Sequence, residues 1–263
     1  MASPNIWTSA LGSAGPTFAT LAGQYVSGTI YWVDSASGND SNNGTDPWKP
    51  KKSWTSAVAA AGNNDTIVLA PGHAETLGNV ASISNSITTI GLGSGSQAPQ
   101  LTPGTSTALA FTATMTRFFN VTFKPSLNAA TPAKLAFTNA GVLLDSCTLQ
   151  GGWDDASCVS VNGGTARIIS CSFSVASGAA GFPTYGLFVQ GAGTDHSIID
   201  TTFDGGSTGW IGAYFSSATT RLDVRNVTLL NKSKFWIVTT GSTYNLYGLR
   251  AGDSTPCPIV IAA

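Results

Sequence analysis

FFNVTF at 118–123, LDSCTL at 144–149, IISCSF at 168–173, IIDTTF at 198–203 and VRNVTL at 224–229 are five copies of one short pattern. Counted from their last residues, the steps between copies are 26, 24, 30 and 26. A second pattern precedes each copy: ALAF at 108–111, KLAF at 134–137, VSV at 159–161, LFV at 187–189 and AYF at 213–215. The two patterns lie 12, 12, 12, 14 and 14 residues apart. A repeat of this length cannot bury its own inner face, so neighbouring repeats stack to make one continuous core. Two strand-like segments per turn, with Gly or Asn between them, predict an all-β chain folded as a single-stranded right-handed parallel β-helix. Leucine-rich repeats fall in the same length range, but their asparagine signature and helical segments are missing.

The columns support this register. Aligned on Phe123, Leu149, Phe173, Phe203 and Leu229, the copies place Val121, Cys147, Cys171, Thr201 and Val227 two positions earlier. Both sets should point inward, because strand side chains alternate. Thr122, Thr148, Ser172, Thr202 and Thr228 lie between them as an outward hydroxyl ladder. Asn120, Ser146, Ser170, Asp200 and Asn226 stand where the coil should bend, and their short polar side chains suit that place. Cys147 and Cys171 share an inward column in adjacent coils. A disulfide is geometrically possible there, but two free buried thiols are the better expectation.

Composition narrows the function. Of the 263 residues, 42% are apolar and only 10% charged, with a net charge of −1. The 12 Lys and Arg form no basic patch, so no nucleic-acid partner is expected. No apolar run is long enough for a membrane span. The N-terminus lacks the basic start and apolar stretch of a signal peptide. Four Cys at no zinc-ligand spacing and two His make a metal site improbable, and no cofactor is expected.

The ends differ from the repeat. Residues 1–28 are expected to be an arm or partner-binding tail carrying Trp7 and Phe18, and residues 29–263 the β-helix domain. YWVD at 31–34 starts a strand, and SGNDSNNGTDPWKP at 37–50 is a loop. SWTSAVAAA at 53–61 is a short helix suited to capping the solenoid, and TIVLAPG at 66–72 is a strand and turn. Residues 231–263 should add one more coil and a C-terminal strand.

Asn43, Gly44, Pro50, the helix, and then Asn64, Asp65, Thr66, Ile67, Val68, Pro71 and Gly72 resemble the opening of right-handed parallel β-helix proteins of the pectate-lyase-like superfamily. That superfamily includes polysaccharide lyases and hydrolases, bacteriophage tailspikes, and virion proteins without catalysis. The resemblance implies a non-enzymatic bacteriophage virion protein that decorates or stabilises the capsid or forms a small surface spike. Its expected partners are the major capsid protein or other virion proteins, its expected location is the virion, and its expected assembly is a homotrimer. The alternatives are a polysaccharide-cleaving enzyme and a non-catalytic module that binds a surface glycan.

Catalysis would need specific groups. Hydrolysis of a glycosidic bond takes two carboxylates, and the candidates are Asp154, Asp155 and Asp200, with Asp195, His196 and Asp204 nearby. The competing reading is that these are turn residues facing solvent, and it is favoured. Elimination needs a base, for which Arg167, Arg221 and Arg225 are available. Their acidic company, Asp195, Asp200, Asp204 and Asp223, is not expected to share one column. His73 and Glu75 should decorate a turn rather than bind metal. Trp153 and Trp210 lie in Gly-rich loops where exposed rings could stack on a sugar or dock a subunit.

Overall fold

A computed structural model describes residues 28–78, 82–104, 109–124, 133–138, 141–151, 157–175, 185–190, 195–205, 211–216, 221–231, 234–238, 243–251 and 259–262. Their strands form three parallel sheets of nine, eight and seven strands. The first sheet runs from Ile30–Val33 through Thr66–Leu69, Thr88–Gly91 and Met115–Phe119 to Thr243–Tyr247. The second runs from Ala74–Thr76 to Arg250–Ala251, and the third from Leu109–Phe111 to Ile259–Ala262. In each sheet the neighbours of a strand are its counterparts one coil away, which makes the chain a parallel β-helix. The C-terminal run pairs on the body, with Phe235 opposite Ile259 and Trp236 opposite Val260.

A coil holds three strands, not the two expected. Each quoted motif contains a bend that divides it between two sheets. Phe118 and Phe119 close one strand, and Thr122 and Phe123 form the next. The bend residue adopts the left-handed region: Asn120 at φ 52°, Ser146 at 55°, Ser170 at 51°, Asp200 at 50°, Asn226 at 50° and Gly248 at 67°. Asn and Asp tolerate this conformation best after Gly, so the column is short and polar for a backbone reason. The bends also stack. The N–H of Asn120 donates to Asp145 O at 2.9 Å, that of Ser146 to Ile169 O at 3.0 Å, and that of Asp200 to Arg225 O at 2.9 Å. Asn120 Nδ2 adds bonds to the carbonyls of Gly91 and Gly93 at 2.9 and 2.8 Å.

The inward columns fill the core as expected. Val121, Cys147, Cys171, Thr201 and Val227 are buried, and so are Phe123, Leu149, Phe173, Phe203 and Leu229. Phe173 and Phe203 stack at 4.8 Å between ring centres, and Phe111 and Phe137 at 4.7 Å. Thr122, Thr148, Ser172, Thr202 and Thr228 pair rung by rung on the outside of the second sheet. Cys147 and Cys171 are free thiols. Burial, and then the neighbouring Cys147, push the Cys171 thiol well above its ordinary pKa, so it stays protonated.

The cap is a helix at Trp54–Ala60. Ser53 caps it by accepting the Ser56 N–H at 3.1 Å. Trp54 and Ala57 are fully buried over the first coils, and Trp54 Nε1 donates to Thr89 Oγ1 at 3.1 Å. The acidic residues around the cap serve backbone groups. Asp40 accepts the N–H groups of Lys52 and Ser53, and Asp65 those of Thr29 and Gly62. Glu75 accepts the Trp54 N–H and the Thr55 hydroxyl, while His73 Nε2 stands 3.4 Å from its carboxylate. Burial alone would raise the Glu75 carboxyl. Hydrogen bonds from His73, Thr55 and the Trp54 backbone outweigh it and hold the group below its ordinary value. His73 and Glu75 therefore tie the cap to the first coil. The expected arm with Trp7 and Phe18 lies outside the described residues.

Candidate functional site

A groove of about 350 Å³ follows the bend between the first and second sheets in the last coils, lined by Asp200, Thr202, Asn226, Thr228 and Arg250. The repeat itself assembles it. Asp200 and Asn226 are consecutive bend residues, and Thr202, Thr228 and Arg250 are consecutive register partners on the second sheet. Neighbouring rungs of a sheet lie about 4.8 Å apart, so the lining groups form a regular grid. Asn226 Nδ2 donates to Asp200 Oδ1 at 3.0 Å, which fixes the carboxylate. Arg250 is exposed and replaces the hydroxyl residue of earlier rungs with a guanidinium. Gly248 is needed beside it. A Cβ there would meet Asn226 Oδ1 at 2.8 Å, and its φ of 67° disfavours other residues. The same arrangement recurs one strand further along, where Asn231 Nδ2 donates to Asp204 Oδ1 at 2.6 Å.

Of the carboxylates proposed for catalysis, Asp200 lies in this groove, while Asp154 and Asp155 fall outside the described residues. Trp153 and Trp210 do so as well. Asp195 is exposed on the first sheet, where Arg221 is its register partner. Asp223 follows Ser197 and Arg167 down another column of that sheet. Asp204 stands on the second sheet and Asp200 in the bend column, so no two of the four acidic residues share a column, as expected. Arg225 is engaged by Asp223 through bonds of 3.0 and 2.6 Å, so it is not a free base. Among the described residues, no group of three or more His, Cys, Asp or Glu could hold a metal ion.

His196 faces the core. It is 2% exposed, and its Nδ1 accepts the Ala166 N–H at 3.1 Å. Burial lowers its pKa from 6.5 to about 4, a shift that the Asp195 charge partly opposes. The unfolded chain therefore takes up a proton that the folded chain refuses. Stability from this residue is complete above the unfolded value and is lost as pH falls from 6.5 towards 4. The shift corresponds to about 3 kcal/mol. Urea midpoints measured across this window should fall with acid, and fall less in His196→Gln, which keeps a side-chain acceptor. An equal slope in both proteins would remove His196 as the cause.

Arg250 and Asn226 were missed as site residues. Asn226 was visible as a bend residue, but a bend column names no ligand. Arg250 was hidden because Leu249–Ala251 does not repeat the hydroxyl-rich motif, so its rung could not be aligned.

Three parallel sheets, stacked coils and polar left-handed bends define a parallel β-helix. A solved crystal structure, that of pectate lyase Pel9A, is similar to this chain at 15% identity and a TM-score of 0.32, over 87% of this chain and 80% of the other. No protein-family model matches the chain. No curated protein matches it either. These findings correct the expectation of a virion structural protein. The structure described is that of a pectate lyase, not of a virion protein.

Proposed function

We propose that the chain is a polysaccharide-active β-helix protein that binds an anionic glycan in the Asp200–Arg250 groove and cleaves it there. One observation carries this reading: a carboxylate, an amide, two hydroxyls and a guanidinium line one groove on regularly spaced rungs. Guanidinium groups recognise carboxylates in a forked geometry. The hydroxyls and the amide suit sugar hydroxyls, which both donate and accept.

The lining favours elimination over hydrolysis. Hydrolysis uses two carboxylates, and Asp200 is the one carboxylate lining the groove. In elimination, Arg250 pairs with a uronate carboxylate and neutralises the charge that builds on it. Asp200 takes the proton from the adjacent ring carbon. The C–H electrons form the new C=C bond, the C–O bond to the next sugar breaks, and the leaving oxygen is protonated from solvent.

The test is to incubate the chain with polygalacturonate, alginate and a neutral glucan. Ultraviolet absorbance reads unsaturated ends, and a reducing-sugar assay reads all new ends. Unsaturated products from an acidic polymer support elimination. New reducing ends without unsaturation would replace it with hydrolysis. Binding without new ends would leave a glycan-binding module, and no binding to any polymer would end this reading.

A further inference from the structure

The outer face of the third sheet changes character in the coils that build the groove. Ala136, Ser160, Phe188, Tyr214 and Trp236 are successive register partners in this sheet. Their flanking residues Leu135, Phe137, Val159, Val161, Leu187, Val189, Ala213 and Phe215 are buried, whereas Ala136, Ser160, Phe188 and Tyr214 are half-exposed. From Ala136 to Tyr214 this column therefore faces outward. It is small and polar or methyl-sized in the earlier coils and becomes aromatic at Phe188. Phe188 and Tyr214 stack at 5.5 Å with 9° between planes, and Tyr185 stacks on Tyr214 at 4.8 Å. The change coincides with the groove. The coil of Phe188 continues into Asp200 and Thr202, that of Tyr214 into Asn226 and Thr228, and that of Trp236 into Arg250.

The fold does not demand these rings. Earlier coils hold the same position with Ala136 and Ser160, and the core beneath is filled by the inward residues. Aromatic side chains on an exposed sheet face keep apolar surface in water, which is unfavourable. We infer that this face is a second glycan contact, an aromatic platform for the C–H surfaces of the same polysaccharide that the groove holds. This rests on the function proposed above. Sugar C–H bonds carry partial positive charge and meet the negative face or the rim of a ring stack favourably. The tyrosine hydroxyls at the rim can bond sugar hydroxyls. The platform and the groove belong to the same coils but to different sheets, so joint engagement needs a polymer long enough to pass round the coil, while a short fragment occupies one surface. Joint engagement raises avidity without a new contact in the groove.

The test compares the wild-type chain, Arg250→Ala, and the double variant Phe188→Ser with Tyr214→Ser, which restores the residue type of the preceding coil. Calorimetry measures binding to polygalacturonate, or to alginate if that is the polymer retained, and to its trisaccharide. Circular dichroism and light scattering report fold and oligomeric state. The expected result for the double variant is at least about tenfold weaker polymer binding, unchanged trisaccharide binding and unchanged mass. Unchanged polymer affinity would overturn the platform, and so would a drop in oligomeric state, which would make the face a contact between copies. If Arg250→Ala weakens polymer binding and the double variant does not, the platform alone fails. If the wild-type chain binds neither polymer, the groove reading fails with it.

Discussion

Trp54→Ala should destabilise the N-terminal coils by about 3–5 kcal/mol, the range for deleting a large buried aromatic side chain. The Trp54 side chain has no exposed surface, and it closes the end of a core whose next rings are Phe118 and Phe111. Its ring centre lies 6.4 Å from that of Phe118. Truncation leaves a cavity under a helix of seven residues, too short to persist without tertiary packing. It also leaves Thr89, a fully buried residue, without the indole donor. In a solenoid, stability is close to a sum of neighbouring interfaces. The loss should therefore appear first as faster amide exchange in Thr66–Leu69 and Thr88–Gly91. Thr89→Val is the control. It removes the hydroxyl while keeping the volume, and should cost about 1 kcal/mol. Equal protection of these strands in Trp54→Ala and the wild-type chain would mean that the helix does not hold the end shut.

Much of this fold is written in the sequence because a solenoid repeats its constraints. Phe123, Leu149, Phe173, Phe203 and Leu229 report one buried position five times, so chance agreement is improbable and the register follows. The third strand of each coil was less legible. Asn120, Ser146, Ser170, Asp200 and Asn226 sit inside what looks like one continuous β-run, and a single left-handed residue leaves hydrophobic alternation nearly intact. The cap was legible from Ser53 and the alanine-rich run, but the partnership of Glu75 with the helix spans 20 or more residues, and local pattern does not encode it.

The candidate site was legible in part. Asp200 stood out as a carboxylate in a repeat column, and His196 stood out by rarity. The alternation of Asp195–Ile199 turns His196 into the core and leaves Asp195 exposed, and the left-handed bend that follows leaves Asp200 exposed. Phe188 and Tyr214 were visible as the central letters of LFV and AYF. Their significance depended on knowing that the flanking positions face inward. Function was the least legible level, because this fold is a scaffold onto which sites are grafted. The groove depends on five residues drawn from three coils.

Arg250→Ala and Asp200→Asn should each lower cleavage of an acidic polymer by about 100-fold or more, the scale for removing a group that meets charge developing in a transition state. The two losses should differ in kind. Arg250 meets the glycan carboxylate before and during reaction, so its removal should raise KM as well as lower kcat, and should weaken the salt dependence of binding. Arg250→Lys keeps the charge but loses the fork, and should recover part of the affinity and little of the rate. Asp200→Asn keeps the size of the side chain and its place in the bend column, where Asn120 and Asn226 already show that asparagine is accommodated. Its fold and its binding should therefore survive while turnover is lost. The Asp200 carboxylate would then be assigned as the base rather than as a bend residue. If Asp200→Asn cleaves at the wild-type rate while Arg250→Ala does not, the base must be sought in another group, and the groove keeps only its binding role.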